Sequence, residues 1–151
     1  MKNIYPIIAP IDVLLIEDSH GDVELTKEAF RDANGAVHLH VATDGEEAMA
    51  FLRKEGKYFQ VPRPKFILLD LHLPKMDGRE ILALIKKDEK LKSNPVIILS
   101  TSEDEEDVRK SYDLHANCFL TKPIKYAEFE SLVRHINDFW INTHWKERKA
   151  A

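Results

Sequence analysis

The chain is poor in the features that mark several protein classes. It holds one cysteine, Cys118, so a disulfide framework is excluded and a reducing compartment, the cytoplasm, is expected. That lone thiol sits in an apolar run and reads as a small core residue. No apolar run approaches the ~18 residues of a membrane span. The apolar start is broken by Pro6, Pro10 and Asp12 and runs straight into Glu17-Asp18, which argues against a signal peptide. The formal net charge is −4, so the overall basic footprint of a nucleic-acid binder is missing. Internal repeats, low-complexity stretches and internal linkers are absent as well.

What the chain does have is an ordinary globular composition. Its 151 residues are 44% hydrophobic and 32% charged, enough for one domain with a core of its own. Four apolar runs of strand length stand out: Val13-Leu14-Leu15-Ile16, Phe66-Ile67-Leu68-Leu69, Val96-Ile97-Ile98-Leu99 and Cys118-Phe119-Leu120. A weaker alternation covers His38 to Ala42. Helical patterns lie between them. One covers about residues 22–34, with Leu25, Ala29 and Phe30 on one side. Another follows a capping-box spacing at Thr43 and Glu46 and carries Ala48, Phe51 and Leu52. A third opens at Asp77-Gly78 and carries Ile81, Leu82, Leu84 and Ile85. The Ser102/Glu105 spacing precedes Val108 and Tyr112, and the last helix carries Phe129, Leu132, Val133, Ile136 and Trp140. Strand and helix thus alternate five times. Short continuous apolar strands imply burial on both faces, as in a parallel sheet flanked by helices.

In such a sheet, ligands bind outside the carboxyl ends of the strands. The residues that follow the strong runs are Glu17 and Asp18, then Asp70, then Ser100, then Lys122. Three carboxylates on one rim repel one another and call for a cation. Oxygen-only, hard ligands suit Mg²⁺. A divalent ion, a carboxylate nucleophile, a hydroxyl and a lysine together make sense for phosphoryl transfer, because metal and lysine neutralise charge on the moving group.

This arrangement resembles the receiver domain of two-component response regulators over roughly Val13 to Asp138. The matching pieces are Leu15-Ile16-Glu17-Asp18, Leu68 to Gly78 with its Asp70-Leu71-His72-Leu73-Pro74 core, Ile97-Ile98-Leu99-Ser100-Thr101, and Phe119-Leu120-Thr121-Lys122-Pro123. The resemblance implies a flavodoxin-like, doubly wound five-stranded parallel sheet of order 2-1-3-4-5 with five helices. It implies Asp70 as phosphoacceptor. Asp18 would bind Mg²⁺ directly, Glu17 through water, and the backbone carbonyl of His72 would complete the protein ligands. Ser100 and Lys122 would each engage a phosphoryl oxygen, and Phe119 would be the aromatic that turns inward on activation. Ser111 to Phe119, with the terminal Phe139-Trp140, is similar to the small regulators paired with cyanobacterial phytochromes. The implied donor is therefore a phytochrome-type histidine kinase.

On this reading residues 1–151 form one receiver, with a core of about 12–138 and an aromatic tail at 139–151. No attached output domain is expected, and weak autodephosphorylation does not make the chain an enzyme. Aromatics left over at a helix end have the composition of an interface. The resemblance implies that such contacts use the face made by the fourth helix, fifth strand and fifth helix, which the tail adjoins, so a homodimer through Phe119, Phe139 and Trp140 is expected. Neither nucleic acid nor membrane is an expected partner.

Blander readings stand beside these. Glu17 and Asp18 alone could be acids favoured by a helix N-terminus, as could Glu103 to Asp107. His38 and His40 share a strand face at metal-binding spacing, but with no third ligand evident they read as surface histidines. A phosphohydrolase with an aspartate nucleophile is the competing activity; it would place a second acid two residues after the nucleophile, where this chain has His72. A phosphorylation-independent binding module is the other alternative, and the complete acid, hydroxyl and lysine set argues against it.

Overall fold

A computed structural model of the chain describes residues 11–31, 37–100 and 118–122, together with 127, 128 and 131. The elements in chain order are β1 (Ile11–Ile16), α1 (His20–Arg31), β2 (Val37–Ala42), α2 (Gly45–Arg53), a single 3₁₀ turn (Gly56–Tyr58), β3 (Phe66–Asp70), α3 (Gly78–Lys87), β4 (Val96–Ser100) and β5 (Cys118–Thr121). Ala127, Glu128 and Ser131 have helical backbone. The expected fourth helix, most of the residues expected to form the fifth, the Ser102/Glu105 spacing and the tail with Phe139 and Trp140 lie outside the described residues.

The five strands form one sheet in the order β2-β1-β3-β4-β5, and every neighbouring pair is parallel. Parallel neighbours need crossovers, which α1, α2 and α3 supply among the described residues. Apolar residues occupy both faces of the inner strands. Leu14, Ile16, Ile67, Leu69 and Ile98 point to one side, where Ala48, Phe51, Leu52, Ile81, Leu82 and Ile85 of α2 and α3 cover them. Val13, Leu15, Phe66, Leu68, Ile97 and Leu99 point to the other, against Val23 and Phe30 of α1. The period of two puts successive residues on opposite faces, so a continuous apolar run is what a doubly covered strand requires. Each such side chain taken out of water contributes about 1.5–3 kcal/mol. No helix among the described residues is long and apolar enough to cross a membrane.

Three local readings shift. The buried stripe of α1 is Val23, Thr26 and Phe30, while Leu25 faces outward. Thr26 can take a buried seat because its hydroxyl donates to the Asp22 carbonyl (2.8 Å). The α2 cap moves by one residue: Asp44 is the N-cap, accepting from the Glu47 N–H, and Glu47 reaches back to the Thr43 N–H and hydroxyl. On α3, Leu84 is partly exposed, whereas Ile81, Leu82 and Ile85 are buried.

Candidate phosphoryl and metal site

The strand order reverses direction at β1 and β3, and a crevice opens there at the carboxyl edge. Register brings the acids together. Ile16 pairs with Leu69, so one step further Glu17 comes level with Asp70. On the far side, Ser100 pairs with Thr121, which brings the end of β4 beside the start of the Lys122 loop. The Ser100 side chain lies outside the described residues, as does Pro123.

The centre of the crevice is an ion-pair cluster. Lys122 Nζ donates to Glu17 Oε2, to Asp70 Oδ2 (3.0 Å) and to Asp22 Oδ2 (3.1 Å). Lys122, Glu17 and Asp70 are nearly lost to solvent, their side chains 9%, 1% and 6% exposed. Two backbone donors hold the acids in place: the Ser19 N–H reaches Glu17 Oε1 (3.1 Å) and the His72 N–H reaches Asp70 Oδ1 (3.0 Å). The second contact places the His72 N–H beside Asp70, while the His72 residue as a whole is exposed.

Glu17 is short of compensation. Burial pushes its carboxyl up to about 7; the Lys122 ammonium and the Ser19 N–H pull it down, and neighbouring Asp70 adds to the rise. Burial alone would lower the Lys122 pKa, but its bonds and charge pairing with Glu17 and Asp70 outweigh that and raise it. One lysine therefore answers several acids. One carboxylate oxygen each from Glu17, Asp18 and Asp70 lies within 4.8 Å of the others, with Asp18 exposed to the opening. A set of hard oxygens around a surplus of negative charge fits a divalent cation of the Mg²⁺ type, which binds through a few carboxylates and keeps its waters.

The scaffold beneath is tight. Gly78 opens α3 directly under the end of β3; a Cβ there would sit 2.4 Å from the Asp70 carbonyl oxygen and 2.6 Å from Leu71 Cα. The Gly78 N–H donates to the Leu71 carbonyl (3.0 Å), and Asp77 caps the helix by accepting from the Arg79 N–H (2.8 Å). On the path from Leu71 to Asp77, Lys75 takes a left-handed φ of 66°. Phe119 is partly buried, packed against the core beneath α2 and α3.

Four of the residues singled out by position thus converge: Glu17, Asp18, Asp70 and Lys122. Phe139 and Trp140 lie outside the described residues. Asp22, a third partner of Lys122, was not singled out. Away from the crevice, Asp12 Oδ1 lies 2.9 Å from His40 Nε2 and 3.7 Å from His38 Nδ1, so the histidine pair has an acid beside it that the spacing did not reveal.

Comparison with known proteins gives one consistent result. The family described as the response regulator receiver domain matches residues 13–134. The response regulator Rcp1 of Synechocystis sp. is 46% identical over 134 residues, covering 89% of this chain and 91% of that protein. Among solved structures, the phosphorylated cyanobacterial phytochrome response regulator RcpA superposes with a TM-score of 0.75 at 46% identity, covering 89% of this chain and 96% of that one. The Mn²⁺-bound form of Rcp1 gives 0.72 at 46% identity, covering 87% and 94%.

Proposed function

This chain belongs to the response regulator receiver family, and from that premise we propose that it is a phosphorylation switch whose acceptor is Asp70. A histidine kinase, of the phytochrome type, is the phosphoryl donor. The kinase phosphohistidine, protonated on its other ring nitrogen, loses its N–P bond as an Asp70 carboxylate oxygen forms an O–P bond, and the histidine departs as neutral imidazole. Asp18, Asp70 and the His72 carbonyl would hold Mg²⁺, with Glu17 reaching it through water, and the bound ion would supply positive charge to the transferring group. Lys122 gives its ammonium to a phosphoryl oxygen, and Ser100 gives its hydroxyl to another. Phe119 then repacks against the core, which carries the change to the surface. Such coupling is worth about 1–3 kcal/mol between sites.

The observation that carries this reading is the direct bond from Lys122 to Asp70 and Glu17, beside a three-acid cluster on one sheet edge. The RcpA and Rcp1 structures, one phosphorylated and one Mn²⁺-bound, support extending the chemistry to this chain. We propose further that one receiver unit spans about residues 12–138 and signals by protein contact, as a cytoplasmic homodimer built on Phe119, Phe139 and Trp140, without nucleic acid or membrane. Its only turnover is slow loss of its own acyl phosphate.

The test is phosphotransfer from acetyl phosphate and from candidate kinases, in Mg²⁺, to wild type and Asp70→Asn, with oligomer size recorded alongside. Wild type is expected to acquire an acid-stable, base-labile phosphoryl group and Asp70→Asn none. Equal labelling of the two would overturn the assignment.

A further inference from the structure

We propose that Asp22 is a positioning residue for Lys122, and that its charge sets how the site divides its affinity between a cation and a phosphoryl anion. The inference rests on the phosphoryl-switch reading above and extends it to a residue outside the receiver motifs. An ammonium has three N–H donors. In this crevice they go to three carboxylates: Glu17, Asp70 and Asp22. Two of those acids belong to the cluster suited to a divalent ion. When their oxygens turn to a cation, Asp22 is the carboxylate of the three left to the lysine. It reaches across from the first turn of α1 to the loop after β5, a separation of 100 residues in sequence.

Asp22 is well placed to hold that position. Its backbone N–H donates to Ser19 Oγ (3.3 Å) and its carbonyl accepts from the Thr26 hydroxyl (2.8 Å), so the turn that carries it is fixed on both sides. Its side chain is 37% exposed, whereas Glu17 and Asp70 are enclosed. A partly solvated charge has a modest effect, worth a few-fold in an equilibrium constant. The sign of that effect depends on what binds. A carboxylate beside the crevice favours a divalent cation. The same carboxylate opposes a phosphoryl group, by repulsion and by competing for the lysine.

An acid in the first turn of a helix also has an ordinary role, since it complements the helix dipole. That role moves helix stability and leaves the two affinities alone, or weakens both together if the fold suffers. Opposite movements distinguish the two.

The experiment is calorimetric titration of the full chain, first with Mg²⁺ alone and then with beryllofluoride at saturating Mg²⁺. Asp22→Asn is expected to raise the Mg²⁺ dissociation constant about threefold and to lower that for beryllofluoride about threefold. Asp22→Glu, which keeps the charge, is expected to stay within about twofold of wild type in both. Constants that move in the same direction, or that do not move, overturn the inference; this includes the case of an Asp22→Asn variant that is destabilised and binds both ligands more weakly. Asp70→Asn is the separate control. If it binds beryllofluoride as wild type does, the phosphoryl-switch reading itself fails, whatever Asp22 does.

Discussion

Two glutamates stand on the carboxyl edge of the same sheet and live in opposite circumstances. Glu47, at the outer end beside β2, is a satisfied group. Its Oε2 accepts from the Thr43 N–H (3.1 Å) and hydroxyl (3.0 Å), and its Oε1 accepts from the Tyr58 hydroxyl (2.7 Å). Burial pushes its carboxyl up, but these donors outweigh that and hold it below the usual carboxylate value. Glu17, in the central crevice, is more deeply buried and has fewer donors of its own. It shares one ammonium with Asp70 and Asp22, and burial pushes it up to about 7. A carboxylate with donors to spare holds the structure together. One kept short of them, among other acids, is set for a ligand that brings positive charge.

The sharpest way to break that contrast is to disturb the floor of the crevice alone. Gly78→Ala forces a Cβ into the backbone of Asp70 and Leu71, where the neighbour is main chain and cannot swing aside. We expect a loss of about 3 kcal/mol in urea denaturation, together with weaker Mg²⁺ binding, because the same displacement moves Asp70. Retention of wild-type stability would mean that α3 can slide, and that the crevice is less rigid than its geometry implies. The next test supplies the missing charge. Mg²⁺ at a hundredfold excess over its dissociation constant is expected to stabilise the fold by about 2.7 kcal/mol. Glu17→Gln should lose much of that gain, since supporting ligands are typically worth 10–100-fold in metal affinity. Glu47→Gln should keep it. Equal Mg²⁺ stabilisation in all three proteins, read as the shift in urea midpoint, would erase the distinction between the two glutamates.

The difference between the two regions also explains which parts were legible in the sequence. The central site was readable because its acids directly follow runs that must be buried, with Lys122 one residue beyond another run; Val13 to Ile16 and Phe66 to Leu69 fix the positions of Glu17 and Asp70 by simple counting. The order of the sheet came through the resemblance, which the strand pairing bears out. Residues set by side-chain reach were not readable. Asp22 looks like any acid in a first helical turn, and only the approach of β5 makes it a partner of Lys122. The capping-box spacing before α2 points to Thr43 with Glu46, but the structure caps one residue later: Asp44 is the residue with extended backbone and accepts from the Glu47 N–H, a choice that spacing alone does not decide. Lys75 gives no signal of its left-handed backbone, since lysine rarely adopts it and only the tight path from Asp70 to Gly78 imposes it.

The smallest effect isolates the edge glutamate. Its folded-state pKa lies below the ordinary value of 4.5, so the ionised form is what the folded state prefers. The stabilisation from Glu47 is therefore fully present above that ordinary value and is lost as pH falls through the lower, folded-state value. Glu47→Gln keeps the shape but cannot ionise. At neutral pH we expect it to be about 1 kcal/mol less stable than wild type, the usual worth of a capping interaction. In acid the gap should close, because wild type there has also lost the charge. The measurement is the difference in urea midpoint between the two proteins, taken from pH 7 down to about 3.5. Taking the difference cancels every group the two share, Glu17 included. A gap that stayed constant in acid would show that Glu47 acts through hydrogen bonds that a neutral carboxyl accepts and an amide NH2 does not, and not through its charge, and the contrast with Glu17 would then rest on burial alone.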